Sequence, residues 1–447
     1  MKTEVRPRGK DTDQTFHATV ERIIPGGKGL ARSGSLPLFI PLAVPGDEIE
    51  THTVQDRGSY LEVKTLRILR PSPHRREPPC PYFGRCGGCD FQQMNESLQL
   101  NQKRAMLLDA LKRIAKIDYP ADRIGMTPSP SLRYRNRLQL RTVPSTNGLD
   151  LGFFQAQSHR VLPVDDCLIA SGELWSFVRE LKSWLEQSQV SGKDLSGAEI
   201  TMGDGPSFLV DLQMQPHWNQ ANELQKRLQS LDWARWDSRT TFFLSEDHDG
   251  QSVRLAGPGY VWKTVGEISY RIGRGAFFQV NDPMLEALRL KATAGYRGRT
   301  ALDLFCGGGF FTFALAGRFR NVIGVESNQA AIWDFEAAQL RNGISNCWIL
   351  GSDLTQTMPE LRSHSEDLDL ILLDPPRSGL PKEIVRQLAE LAAPEVVYVS
   401  CDPSTLARDL RILMDHHYRL HSLEVLDLFP QTHHVESVAK LKQEGHP

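Results

Sequence analysis

The sequence predicts a multi-domain chain in three parts: a small N-terminal β-barrel, a central α+β domain with a cysteine knuckle, and a C-terminal α/β domain of Rossmann-like type. Three observations predict it. Short β-like runs broken by Gly and Pro fill residues 16–70. Cys80, Cys86 and Cys89 then follow in close succession. From about residue 271, apolar strand-like runs alternate with helical ones and end in Asp, Glu or Cys, at the strand ends where open α/β sheets bind ligands.

The bulk numbers frame this reading. With 447 residues, 40% hydrophobic and 24% charged, the chain is long enough for about three domains with real cores. A formal net charge of -2 and a pI near 6.7 give no global positive field, so any nucleic-acid surface has to be local. No apolar run reaches the roughly 18 to 20 residues of a membrane span, and no secretory leader is legible, which predicts a cytoplasmic protein with no membrane partner. Seven cysteines, three of them clustered, suit metal and catalytic roles in a reducing compartment better than disulfides.

Residues 1–15 are polar and read as mobile. In the barrel region, Pro25-Gly26-Gly27-Lys28-Gly29 looks superficially like a phosphate loop, but no Gly-Lys-Ser/Thr opens a helix after it, so a turn between strands is predicted. These strands, with Ala43-Val44-Pro45-Gly46-Asp47, resemble a TRAM domain, an OB-like module of RNA-modifying enzymes; the resemblance implies single-strand binding by a strand face and loops.

The central domain is placed at residues 71–270. A Pro-rich linker delivers Cys80, Cys86 and Cys89, with Gly84, Gly87 and Gly88 letting the backbone fold around a small object. A fourth ligand is needed, and Cys167, in Val164-Asp165-Asp166-Cys167, is the candidate. Four thiolates suit Zn2+ or an iron–sulfur cluster, and spacing alone does not separate them. Residues 92–118 have helical periodicity. From Leu132 to Leu140 apolar residues alternate with Arg133, Arg135, Arg137 and Gln139, followed by Arg141; as a strand, this would line four arginines on one face to meet phosphates or a base. Residues 150–270 show no catalytic constellation and read as scaffold.

The catalytic domain is placed at 271–447. Thr300 to Phe305 reads as a buried strand, Cys306-Gly307-Gly308-Gly309 as a tight turn, and Phe310 to Ala316 as the opening of a helix. The next strand, Asn321 to Glu326, ends in a carboxylate, the usual acceptor for ribose hydroxyls. Thr312 occupies the position where a dinucleotide fingerprint wants its last glycine, which disfavours an NAD-dependent oxidoreductase. Leu370-Ile371-Leu372-Leu373 runs into Asp374-Pro375-Pro376-Arg377, placing a carboxylate at the ligand edge; Arg377, where amino-group methyltransferases often carry an aromatic, argues against an exocyclic amine as target. Val396-Val397-Tyr398-Val399 runs into Ser400-Cys401-Asp402-Pro403, so Cys401 sits at a strand end as a candidate nucleophile. Glu436 follows on a nearby element.

Taken together, Cys80/Cys86/Cys89/Cys167, Phe277-Phe278-Gln279-Val280-Asn281, Asp303-Leu304-Phe305-Cys306-Gly307, Asp374-Pro375-Pro376-Arg377, Ser400-Cys401-Asp402-Pro403 and His434-Val435-Glu436-Ser437 resemble the RNA uracil-5-methyltransferase family in its 23S rRNA branch, over about residues 16–447. The resemblance implies a class I S-adenosyl-L-methionine-dependent domain and a [4Fe-4S] cluster on the four cysteines. It also implies that residues near 93–124 pack with the catalytic domain, and that the tRNA branch lacks both the TRAM domain and the cluster cysteines. By the same resemblance, Glu326 serves the ribose, Gln279 and Phe305 the methionine and packing contacts, and Asp353 and Asp374 the adenine and sulfonium surroundings. Phe310 stands where relatives often carry Asn, and His434 is unassigned.

The chemistry needs such residues. C5 of uracil is a poor nucleophile until a thiolate adds at C6, the role given to Cys401, and the C5 proton must then be removed, the role given to Glu436. A uridine in folded 23S rRNA has to be flipped out to reach Cys401, with Phe277 and the Arg133 to Arg137 segment as candidates to hold it. Cys306 and Cys347 read as packed residues. The expected enzyme acts as a monomer. Alternatives are a tRNA uracil-5-methyltransferase and a noncatalytic RNA-binding or ribosome assembly factor. A zinc deaminase is disfavoured because H-x-E at His434 follows the Cys86/Cys89 pair instead of preceding it.

Overall fold

The computed structural model describes residues 11–146, 148–215, 221–246, 251–363 and 367–444. Of the polar first fifteen residues, 1–10 lie outside these, whereas Asp11–Asp13 is a strand that pairs antiparallel with Glu48–Asp56.

Residues 11–70 form one seven-stranded sheet. Alternation along its strands turns Val20, Ala31, Leu38, Ile40, Ile49, Val54 and Leu61 inward to a core of its own. Gly26 and Gly27 take positive φ of 89° and 78° in a turn closed by the Gly27 N–H donating to the Ile24 carbonyl at 3.0 Å. A second seven-stranded sheet runs from Arg137–Ser145 to Ser252–Ala256, antiparallel except where Phe208–Met214 meets Thr241–Ser245. The helix Gly172–Gln187 lays Trp175, Phe177, Leu181 and Trp184 on this sheet, and the Ser171 side chain caps it by accepting the Leu174 N–H.

The predicted arginine strand is corrected here. The strand starts only at Arg137, because Arg133 takes φ of 58° and breaks the alternation. Arg133 pairs with Asp166, and Arg137 with Glu199 and the Ala276 carbonyl. The arginines hold protein together and do not form one free phosphate-facing row.

The third sheet has eight strands. Helix α1 (Glu96–Ala110) and strand β1 (Ile124–Thr127) join it from early in the chain. They are followed by β2 (Gly298–Leu304), β3 (Phe319–Val325), helix α2 (Gln329–Arg341), β4 (Cys347–Leu350), β5 (Leu368–Leu373), β6 (Glu395–Ser400), helix α3 (Pro403–Asp415), β7 (Tyr418–Leu426) and β8 (Glu436–Gln443). The order is β4-β3-β2-β5-β6-β8-β7-β1, parallel from β4 to β6, with β8 antiparallel to both β6 and β7. Near-continuous apolar runs such as Leu370–Leu373 and Val396–Val399 are buried, as strands covered on both faces require. Strand order reverses between β2 and β5, and the crevice outside their carboxyl ends is where such sheets take ligands. The helix after the glycine turn is shorter than predicted, Thr312–Ala316: Tyr270 Oη donates to the Phe310 carbonyl at 3.0 Å and holds Phe310 in the turn. Buried Lys103 ties α1 to the loop between β7 and β8, donating to Asp427 at 2.6 Å and to the Phe429 carbonyl at 2.9 Å. No helix among the described residues is long and apolar enough to cross a membrane.

Candidate active site

Three carboxylates converge at the switch point. Asp303, fully buried in β2, accepts the Thr312 hydroxyl at 2.5 Å, and its other oxygen has no partner. Burial, reinforced by Asp374 and Glu326, pushes it up to about 7. Glu326, just past β3, accepts the N–H groups of Gly307 (3.0 Å), Ser327 and Asn328 (both 2.7 Å), so it is clamped against the glycine turn. Asp374, just past β5, is raised by burial and receives the Gln279 amide at 3.3 Å. A cationic ligand would favour the charged forms of Asp303 and Asp374 against the cost of their burial. Phe305 directly precedes the turn with a left-handed φ of 63°, strain held between β2 and the glycines. Asp353 is exposed, and its carboxylate accepts the Thr355 N–H at 2.8 Å at the start of the helix Leu354–Ser363, on the far side of β3 from β2. Cys306 and Cys347 are buried. Asp303 lay inside a motif visible in the sequence, but only burial singles it out.

Cys401 lies in the two-residue step, Cys401-Asp402, between β6 and α3. Pro403 starts the helix and the Asp402 carboxylate caps it, accepting Ser404 and Thr405 N–H at 2.8 and 2.9 Å. In the β6/β8 ladder Ser400 faces Ser437, so the next residue on each strand sets Cys401 beside Glu436. Glu436 is buried, and burial followed by the Asp374 charge raises its carboxyl well above the usual range. Burial also pushes the Cys401 thiol up to about 11; Glu436 adds to this, and the neighbouring Arg377 guanidinium opposes it.

Sequence reasoning missed a second layer around this pair. Arg377 Nη2 lies 3.4 Å from His434 Nε2, and the His433 and His434 rings are 4.4 Å apart. His433 Nδ1 bonds Asp90, which directly follows Cys89. A cavity of about 120 Å³ opens on Cys401, Arg377, His433 and His434, with Pro25 and Gly26 of the N-terminal sheet in its wall. The H-x-E spacing at His434 was visible; its link to Arg377, 57 residues away, and the link of His433 to Asp90, 343 residues away, were not. Phe277 is 64% exposed on the loop that carries Gln279.

The four knuckle cysteines line one cavity of about 230 Å³, together with Gln92, Arg135 and Phe153. Tyr82 Oη bonds Asp165 at 3.0 Å, and Arg133 bonds Asp166 and the Cys167 carbonyl, drawing the two segments together. Burial raises Cys86, takes Cys89 up to about 12 and Cys167 up to about 11, and the neighbouring thiols add to each shift. Among the described residues, no group of three or more His, Cys, Asp or Glu side chains is arranged to hold a metal ion.

An open α/β sheet of this order, with acidic strand ends around a glycine turn, is the fold of a Rossmann-like methyltransferase. A family model described as tRNA (Uracil-5-)-methyltransferase matches residues 95–444, and the chain belongs to that family. It is 31% identical to the 23S rRNA (uracil(1939)-C(5))-methyltransferase of Vibrio parahaemolyticus, over 97% of this chain and 98% of that one. It is 33% identical to the protein of the same name from Pseudomonas putida, over 94% and 92%. Among solved structures, the Pyrococcus abyssi tRNA (uracil-54, C5)-methyltransferase in complex with S-adenosyl-L-homocysteine superposes with a TM-score of 0.73 at 24% identity, covering 95% of this chain and all of that one. That cover corrects one expectation: the unmatched 5% of 447 residues is about 22, fewer than the sheet of residues 11–70 contains, so a tRNA enzyme also has a counterpart to much of this sheet. The N-terminal sheet does not separate the two branches.

Proposed function

We propose that the protein transfers a methyl group from S-adenosyl-L-methionine to C5 of a uridine in 23S rRNA, giving 5-methyluridine. The observation that carries this reading is the strand register that sets a thiol and a buried carboxylate side by side, one strand from the acidic switch point. Cys401 adds to C6, forming a C–S bond and moving the C5=C6 electron pair toward an enolate; C5 then bonds the methyl carbon as the S–CH3 bond breaks, its electron pair staying on the departing S-adenosyl-L-homocysteine. Glu436, whose raised affinity for a proton suits a base, removes the C5 proton as the C–S bond breaks and C5=C6 is restored. Arg377 favours the thiolate against the cost of burial. Glu326 and Gly307 hold the nucleoside end of the cofactor, Asp303, Asp374 and Gln279 lie toward its cationic end, Phe305 packs there, and Asp353 is the outlying adenine contact.

The residues 11–70 are read as a TRAM-type RNA-binding module, and Phe277 as a stacking platform for the displaced uridine. Cys80, Cys86, Cys89 and Cys167 would hold a [4Fe-4S] cluster, whose iron would supply the positive charge that thiolate ligands need. The choice of rRNA over tRNA rests on the names and near-complete coverage of the sequence relatives. The protein is taken to work as a monomer in the cytoplasm.

The test is incubation with tritiated cofactor and, separately, rRNA and tRNA from cells lacking the protein, followed by mapping of the labelled base. Label on C5 of one uridine of 23S rRNA is expected. Label confined to tRNA would move the substrate to the other branch, and label on an amino group would end the proposal.

A further inference from the structure

The pocket beside Cys401 contains a donor that the addition and elimination steps leave unused. When the thiolate adds at C6, the electron pair released from C5=C6 is delocalised onto the oxygen at C4, and a hydrogen-bond donor fixed at that oxygen lowers the barrier. We propose that His434 is this donor, giving its Nδ1–H to the C4 oxygen of the target pyrimidine. The proposal rests on the reading of Cys401 as the nucleophile.

Four observations point to it. First, His434 and Cys401 line the same cavity of about 120 Å³. Second, the neighbour of His434 fixes its tautomer: Arg377 Nη2 lies 3.4 Å from Nε2, and a guanidinium only donates, so Nε2 accepts and the ring proton of the neutral imidazole resides on Nδ1. Third, no hydrogen bond to a described residue occupies that Nδ1. Fourth, the ring is held on two sides, with the His433 ring centroid at 4.4 Å and the Phe429 ring edge-on at 5.8 Å, and the His434 backbone N–H donates to the Thr432 hydroxyl at 3.3 Å. His433 is in turn fixed by Asp90. A donor that is already oriented loses little on binding, which makes it effective toward developing charge.

The electrostatics agree with a neutral donor. Burial, then His433, Arg377, Lys103 and Arg135, bring His434 down to about 3, so the imidazole carries one proton across the working range. It gives a hydrogen bond without giving up the proton. Atoms balance accordingly: the Cys401 thiolate, its proton already lost to solvent, forms the C6–S bond, the displaced pair rests on the C4 oxygen under the Nδ1–H, and it returns through C5 to the methyl group. A C4 oxygen accepts this bond, whereas the exocyclic amine of cytosine is itself a donor, so the same contact selects uracil.

The test uses the full-length protein with unmodified 23S rRNA transcribed with 5-fluorouridine. After addition and methyl transfer, fluorine at C5 cannot leave as a proton does, so the protein–RNA adduct persists on a denaturing gel and its single-turnover rate reports the addition and transfer steps. With RNA and cofactor saturating, His434→Ala is expected to form adduct about a hundredfold more slowly, the loss typical of one such donor. His434→Asn, whose amide nitrogen falls near Nδ1, should recover at least tenfold, with cofactor affinity and melting temperature unchanged. An Ala variant within about threefold of wild type, an Asn variant as slow as Ala, or a loss confined to RNA affinity would each overturn the proposal. Wild-type protein that forms no adduct would overturn the underlying reading of Cys401, and the proposal with it.

Discussion

Replacing Glu436 with Gln separates the two halves of the reaction. The amide matches the carboxylate in size and sits at the same buried position at the start of β8, so the ladder with β6 and β7 keeps its register. Cys401 and the acidic switch point are untouched, so addition at C6 and methyl transfer proceed. The C5 proton then has no base, and the C–S bond cannot break. Loss of a positioned general base costs about 10²- to 10⁴-fold, equivalent to roughly 3 to 5 kcal/mol of barrier. The variant is expected to accumulate a covalent complex with natural RNA that contains the transferred methyl, seen as a shifted, tritium-bearing band on a denaturing gel. Stability supplies an independent check. The Glu436 carboxyl is raised on folding above its ordinary value of 4.5, so the wild-type chain loses stability as pH climbs above about 4.5 toward the folded value, and the amide does not. The Gln variant should therefore match or exceed wild type in denaturant resistance at neutral pH. Undiminished turnover, or a slow enzyme with no trapped complex, would refute the assignment of Glu436 as the base.

Arg377→Met removes the charge that opposes the rise of the Cys401 thiol, so the thiol moves further above about 11. Adduct formation at neutral pH should fall, and should regain more than wild type does as pH increases; a parallel drop at every pH would place Arg377 elsewhere in the mechanism. In protein purified without oxygen, Cys167→Ser should lose iron and the broad visible absorbance of a cluster, whereas stoichiometric zinc in the wild type would replace the cluster with another metal. Lys103→Met strands Asp427 without its partner in a buried site, and should lower the unfolding free energy of the catalytic unit by about 3–5 kcal/mol, read from a urea titration. An unchanged midpoint would mean that the Lys103–Asp427 pair contributes no net stability.

The parts of the site legible in the sequence are those whose chemistry is written in consecutive residues. Val396 to Pro403 announces a strand stopped at a thiol, and Ala301 to Gly309 a strand, a turn and a cofactor edge, because both depend on local backbone rules. What was not legible depends on tertiary pairing. The alternation from Leu132 to Arg141 looked like a strand throughout, yet Arg133 turns left-handed and reaches Asp166, an ion pair that no period of two encodes. The links between Asp90 and His433, and between Arg377 and His434, span 343 and 57 residues, and each member alone looks like an ordinary surface side chain. The tautomer of His434 follows from such a link and from nothing in its own neighbourhood in the chain.

Buried Gln431, five residues before Glu436, is bonded from several directions. Its carbonyl accepts the N–H groups of Asp90 and Phe91, its side-chain oxygen accepts from Gln99 and Arg76, its N–H donates to Gln99, and its amide donates to the Ser131 carbonyl. Gln99 leaves the ribosome 332 residues ahead of Gln431, so the knuckle, helix α1 and the loop between β7 and β8 cannot be completed one after another as synthesis proceeds. They close together, late, around one side chain. A protein assembled this way has no finished site until the chain has passed Gln431 and added Glu436 and β8, and an early fragment, however well its sheet folds, offers the RNA nothing to act on.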